Sequence, residues 1–193
     1  MTRGAVHQYW RKELQTKADS LLSTSYMKTG FMSLTVTHPI FTSCASNPWE
    51  TEKAVTQARL LSGRYRLESL SGHWTPGNKE GLCTLPNCWG TASSHKGNVE
   101  SFLLTCPSLA HVRTELAISN LRFLHDHPHL EDTVRQCLVS DEVQFWLDCS
   151  TMPLVISAVQ GEGGKVLELL LKMTRNYCHR LHMTRKKLLS DNN

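Results

Sequence analysis

Behind the break Gly161-Glu162-Gly163-Gly164, the residues Val166, Leu170, Met173, Tyr177, Leu181, Thr184 and Leu188 recur at steps of three and four. That spacing traces one stripe of an α-helix and does not fit the two-residue alternation of a strand. The helix it predicts is about 35 Å long. A chain built around such an element is a helical one.

The other segments agree with it. Val6, Trp10, Leu14, Ala18 and Leu21 predict an amphipathic helix over residues 5–22. Residues 29–44, broken by Gly30 and Pro39, read as extended loop or short strand. Asn47 then offers a cap, Pro48 suits the first helical position, Glu50 suits a capping box, and Gly63 supplies a left-handed stop. A further helix is expected through His73-Trp74. Residues 76–97 lack periodicity and read as a loop long enough to need something that orders it. Short helices follow over 98–104, from Pro107 to Leu121, over 130–138 and over 143–147.

Seven cysteines with no regular framework lie among the 193 residues. The polar start is unlike a signal peptide, and no apolar run nears the ~20 residues of a membrane span. The expected setting is nucleus or cytoplasm, not secreted and with no membrane partner. The cysteines are then reduced thiols or metal ligands. Cys44, Cys137, Cys149 and Cys178 read as small buried hydrophobes. Cys83-Thr84-Leu85-Pro86-Asn87-Cys88 is different, because a knuckle with Pro and Asn between two thiols can turn both toward one ion. Cys106 closes the segment with a third thiol. Soft thiolates suit Zn2+, and a metal explains how the loop stays folded.

Four phrases carry a resemblance: Ala58-Arg59-Leu60-Leu61-Ser62-Gly63-Arg64-Tyr65-Arg66, then His73-Trp74, then Cys83-x4-Cys88, then Glu100-Ser101-Phe102-Leu103-Leu104-Thr105-Cys106-Pro107. Together they resemble the C-terminal region of non-LTR (LINE-type) retrotransposon reverse transcriptases, continuously from about Arg3 to Leu109. The resemblance implies post-polymerase helices followed by a zinc knuckle of two cysteines, a histidine and a final cysteine. Cys83, Cys88 and Cys106 match three of those ligands. The family's histidine position is Ser101, a poor zinc ligand. The fourth place is open to His95, His111 or a water, with His95 favoured because a loop can bend to the metal.

The resemblance also frames what the chain lacks. No Asp-Asp pair occurs in it, and two-metal polymerase chemistry needs clustered carboxylates. Glu131-Asp132 and Asp141-Glu142 sit at helix starts, where a capping and dipole role fits them. The expectation is a non-catalytic tail or remnant of a longer polyprotein, with the upstream polymerase region as a partner and no small-molecule substrate. The expected fold is mainly α: a small helical bundle, a loop-rich zinc-knuckle-like insert and a long basic C-terminal helix. Its parts are helical residues 1–75, a knuckle-like segment over 76–110, and helical residues 111–193.

Charge suggests the other partner. Lys172, Arg175, Arg180, Arg185, Lys186 and Lys187 fall in a stretch with no acid, a face that phosphate backbones attract. Arg64 and Arg66, with Arg59, flank Tyr65, whose ring can stack on an unpaired base. RNA or DNA is the expected ligand. His125, His127 and His129 read as a solvated turn. Two alternatives stand beside this: a protein-interaction module docking through Val166, Leu170, Met173, Tyr177 and Leu181, and a polymerase remnant whose activity lies in other residues.

Overall fold

The computed structural model describes residues 3–20, 25–28, 37–42, 44, 47–68, 81–88, 96–162 and 164–191. Among them the chain is mainly helical. The elements are α1 (Arg3–Ser20), α2 (Pro39–Thr42), α3 (Pro48–Leu61), a π-turn (Ser101–Thr105), α4 (Ala110–Asp126), α5 (Glu131–Asp148), α6 (Pro153–Glu162) and α7 (Gly164–Ser190). Short 3-10 turns precede α4, α5 and α6, two of them opened by Pro107 and Pro128. The β pairing among the described residues is the isolated antiparallel bridge Leu82↔Lys96.

α7 is the axis of the fold. Its 27 residues span about 40 Å, and α2, α3, α4, α5 and α6 all pack on it. Val166, Leu170, Met173, Tyr177 and Leu181 are buried as their spacing predicts, joined by Leu171, Thr174, Arg175 and Cys178. A buried sector this broad belongs to a helix surrounded on several sides, not one lying on a surface. The stripe offered as a docking face is therefore committed to the chain's own core.

Local chemistry explains the helix starts. Asn47 Oδ1 accepts from Trp49 N at 3.0 Å, Pro48 takes the first position, and Gly63 leaves the helix at φ 64°. Glu50 does not reach back as a capping box; it accepts from Lys53 Nζ at 2.7 Å instead. Residues 39–42 form a helical turn where extended chain was expected. His38 Nδ1 accepts from Ile40 N at 3.2 Å, so the histidine acts as the cap and Pro39 as the first residue. Asp141 breaks α5 with φ −160° and ψ 89°, and its Oδ1 accepts from Gln144 N at 2.9 Å, restarting the helix as a cap. In α1, Ala18 is buried, but Trp10 is 48% exposed and Leu14 is also exposed. The helix expected through His73-Trp74 lies outside the described residues.

The core runs as one cluster from Ile40 to Leu181, with the Trp146 and Tyr177 rings stacked at 3.8 Å. One buried amide ties three helices across it. Gln57 Nε2 donates to Trp146 O at 2.9 Å and to Thr174 Oγ1 at 3.1 Å, joining α3 to α5 and α7. Gln57→Leu keeps the side chain's bulk and removes both bonds, leaving a buried carbonyl short of a donor. It is expected to cost about 1–3 kcal/mol in urea unfolding at an unchanged m-value. An unchanged midpoint would show that the amide is dispensable.

Candidate functional site

The cysteine loop is closed at its base before any metal is considered. Gly81 sits at φ 66°, a conformation that glycine adopts without steric cost, and its carbonyl accepts from Gly97 N at 2.8 Å. The Leu82↔Lys96 bridge lies beside that bond. Within the loop, Leu85 O accepts from Cys88 N at 2.9 Å across Pro86 and Asn87. Proline at the second position of such a turn presets its φ. The turn delivers Cys88 Sγ to 3.4 Å from Cys106 Sγ and 3.4 Å from Ser108 Oγ.

The sulfurs of Cys83, Cys88 and Cys106 lie within 4.8 Å of one another, and all three residues are buried. Zinc with ~2.3 Å bonds to sulfur in a tetrahedral shell spaces its sulfurs roughly 3.8 Å apart. The donor set thus fits a metal ion with small movements. A hydrogen bond from Cys83 lowers the pKa of the Cys106 thiol, and the same bond pushes Cys83 upward. The pair thus favours the thiolate on Cys106, the form that binds metal. Three other thiols differ: burial pushes Cys137 up to about 11 and raises Cys149 and Cys178 as well, as befits packed, inert cysteines.

The π-turn decides what faces the cluster. Five residues overshoot a 3.6-residue α-helical turn, but the i→i+5 bond of a π-turn makes them close to one revolution. Cys106 N donates to Ser101 O at 2.7 Å, which is that bond. Ser101 and Cys106 accordingly line the same small cavity, together with Cys83 and Glu68. Glu68 Oε1 accepts from Thr84 Oγ1 at 2.8 Å and from Arg185 Nη2 at 2.9 Å. Ser101 Oγ and Glu68 Oε2 are buried with no hydrogen-bond partner among the described residues. His95 lies outside the described residues. His111 is exposed and does not belong to the group that surrounds the thiols.

The two basic segments meet in space. Arg59, Arg64 and Arg66, from the end of α3 and the residues after it, line an open cleft of about 540 Å³ with Arg185 and Lys186 of α7. Tyr65 is buried between them: its ring packs on Phe102 at 5.2 Å, the Arg185 guanidinium lies 5.7 Å from its centroid, and its hydroxyl lies 2.9 Å from His182 Nδ1. Burial, then the neighbouring His179, Lys186 and Arg185, lower the His182 pKa, which favours the neutral ring beside the Tyr65 hydroxyl. Tyr65 thus shapes the cleft instead of offering an open stacking face.

Not every expected cation faces that cleft. Arg175 is a correction: it is 1% exposed, donating to Ile40 O at 3.2 Å and to Glu50 Oε2 at 3.5 Å, so it braces the core and cannot meet a phosphate. Arg180 pairs with Glu115 at 3.2 Å, and Arg185 with Glu68 at 2.9 Å. Lys172 and Lys187 are exposed but do not line the cleft. Arg59, Arg64, Arg66 and Lys186 line it and form no ion pair with another described residue.

Three participants had no signal in the sequence. Glu68 follows the arginine-rich phrase without periodicity, Ser108 follows Cys106-Pro107, and Arg113 donates from α4 to the Cys106 carbonyl. No family model matches the chain, and no curated protein or solved structure matches it either.

Proposed function

We propose that this chain is a non-catalytic nucleic-acid-binding module in which zinc on Cys83, Cys88 and Cys106 fixes a loop beside a basic cleft. It is of the kind that follows the polymerase in non-LTR retrotransposon reverse transcriptases. The observation that carries the proposal is the convergence of Arg59, Arg64 and Arg66 with Lys186 on one open cleft, with no acid among the described residues paired to any of the four. Unpaired cations beside each other repel unless an anion joins them, and a phosphodiester backbone supplies evenly spaced ones. Glu68 connects the two features, because it lines the cysteine cavity while holding Arg185 on the wall of the cleft.

The test is fluorescence anisotropy of labelled RNA and DNA oligonucleotides over a range of salt. Four neutralised phosphates give a slope of log K against log salt of roughly −3.6 on duplex DNA and roughly −2.8 on single strands. Substituting Arg64, Arg66 and Lys186 together with alanine is expected to flatten that slope by about two to three. Binding that ignores both salt and the triple substitution would overturn the assignment. Salt-insensitive association with a protein would instead favour the interaction-module reading. That reading has support of its own in an apolar cleft of about 410 Å³ between α4 and α5, lined by Leu121, Leu124, Val134, Leu138 and Trp146.

A further inference from the structure

We infer that the fourth ligand of the metal is a water molecule held by Ser101 Oγ and Glu68 Oε2, so that the centre is a three-thiolate, one-oxygen site. The inference rests on the metal reading above and goes beyond the resemblance, whose knuckle is completed by a histidine.

Two buried polar atoms without partners make the case. Ser101 is 7% exposed and Glu68 is 8% exposed, and Ser101 Oγ and Glu68 Oε2 are the atoms left unpaired among the described residues. Leaving such groups unsatisfied is costly, and most buried polar groups in folded proteins have a protein or water partner. Both residues line the cavity that Cys83 and Cys106 also line, and its volume is about 10 Å³. That is the room one water needs, and buried waters take two to four polar partners. A metal ion, a carboxylate oxygen and a hydroxyl supply three.

The geometry argues against the simpler alternative of Glu68 as a direct ligand. Its carboxylate is not among the ligand atoms that lie within 4.8 Å of one another around the cluster. The carboxylate is nevertheless fixed in place, since Thr84 and Arg185 both hold Oε1. A Cβ at position 97 would lie 2.4 Å from Glu68 Oε2, so glycine there keeps open the space the oxygen occupies. Serine plus a water also spans about the length of an imidazole arm. Position 101 therefore keeps the family's direction toward the metal while exchanging its nitrogen for an exchangeable oxygen.

The full chain, loaded with Co2+ in place of zinc, provides the test. Its EPR signal is expected to broaden in 17O-enriched water, because the ligand oxygen is solvent-derived. Ser101→His is expected to abolish that broadening and to bind Co2+ more tightly in chelator competition. Ser101→Ala removes one of the water's two anchors and is expected to weaken binding 10- to 100-fold, the usual range for outer-shell partners. His95→Ala is expected to change neither readout. Metal that binds without 17O broadening, and is lost in His95→Ala, would overturn the water ligand and leave the metal site standing. Failure of the wild-type chain to bind metal at all would overturn both.

Discussion

Arg175→Ala is expected to lower the unfolding free energy by about 3–5 kcal/mol, the usual cost of breaking a buried ion pair from one side. The guanidinium lies inside the packing of α7 against α2 and α3, donating to Ile40 O at 3.2 Å and to Glu50 Oε2 at 3.5 Å. Removing it leaves a buried carbonyl and a carboxylate that has lost one of its two cations, and it empties the volume of a long side chain. Burial pushes Glu50 up, yet the Lys53 hydrogen bond, with the charges of Lys53, Arg175 and Lys172, holds its carboxyl below the usual range. A depressed acid stabilises the fold above its unfolded pKa and loses that contribution as pH falls through its folded one. Arg175→Ala should therefore be most damaging near neutral pH and least damaging in acid, where Glu50 is protonated in wild type as well. A loss of this size is a large part of the 5–15 kcal/mol that holds a typical domain together. Thermal and urea unfolding at pH 7 and along an acid series that passes below the lowered Glu50 pKa would measure it. A loss below about 1 kcal/mol at pH 7 would contradict the buried role and return Arg175 to the surface.

Arg175 also marks the boundary of what the sequence made legible. An acid-free run from Lys172 to Lys187 reveals charge, but a helix has several faces, and the carboxylate that captures Arg175 lies 125 positions away. Signals that were local survived. The three- and four-residue rhythm of α7, the Asn47-Pro48 start of α3 and the Gly63 stop each act within one or two turns, so tertiary packing had little to override. The Pro39 turn failed for the same reason in reverse. Proline was read as a breaker, whereas a capping His38 makes it the first residue of a helix. At the candidate site, the convergence of Cys83, Cys88 and Cys106 was legible from thiol spacing and a loop in need of order. The shared wall of Ser101 and Cys106 was not legible from helical phase, because five residues are out of step in an α-helix and only the π-turn brings them round. Glu68 carries no motif at all, since its role comes from Thr84 and Arg185, which meet it only in the folded chain.

Cys106→Ser is expected to reduce bound zinc from about one per chain to a trace and to open the cysteine loop, while the helices around α7 stay folded. Cys106 is the thiol that both others approach: Cys88 lies 3.4 Å away, and a hydrogen bond from Cys83 favours its ionised form. A hydroxyl in its place neither ionises near neutral pH nor suits zinc as a thiolate does. Metal affinity in such a site is also folding free energy, since the ligands are gathered only in the folded loop. The loss should nonetheless stop at the π-turn. Phe102 and Leu103 are buried, and Tyr177 Oη donates to Leu103 O at 2.8 Å, which fastens that turn to α7 without help from the metal. Residues 81–88 have no such bond to α7 of their own among the described residues; theirs run from Gly97 to Gly81, from Cys88 to Leu85, from Thr84 to Glu68 and from Asn87 to Ser108. Chelation of wild type should reproduce the variant, and so should acid, because protons compete with the metal for all three sulfurs and binding strengthens as pH rises. Elemental analysis and limited proteolysis followed by mass spectrometry would give the answer. New cleavage confined to the segment before Asn98, in both the variant and the chelated wild type, is the expected pattern. A variant that keeps a full equivalent of zinc, or a chelated chain cut no faster than the untreated one, would mean that the three thiols merely pack.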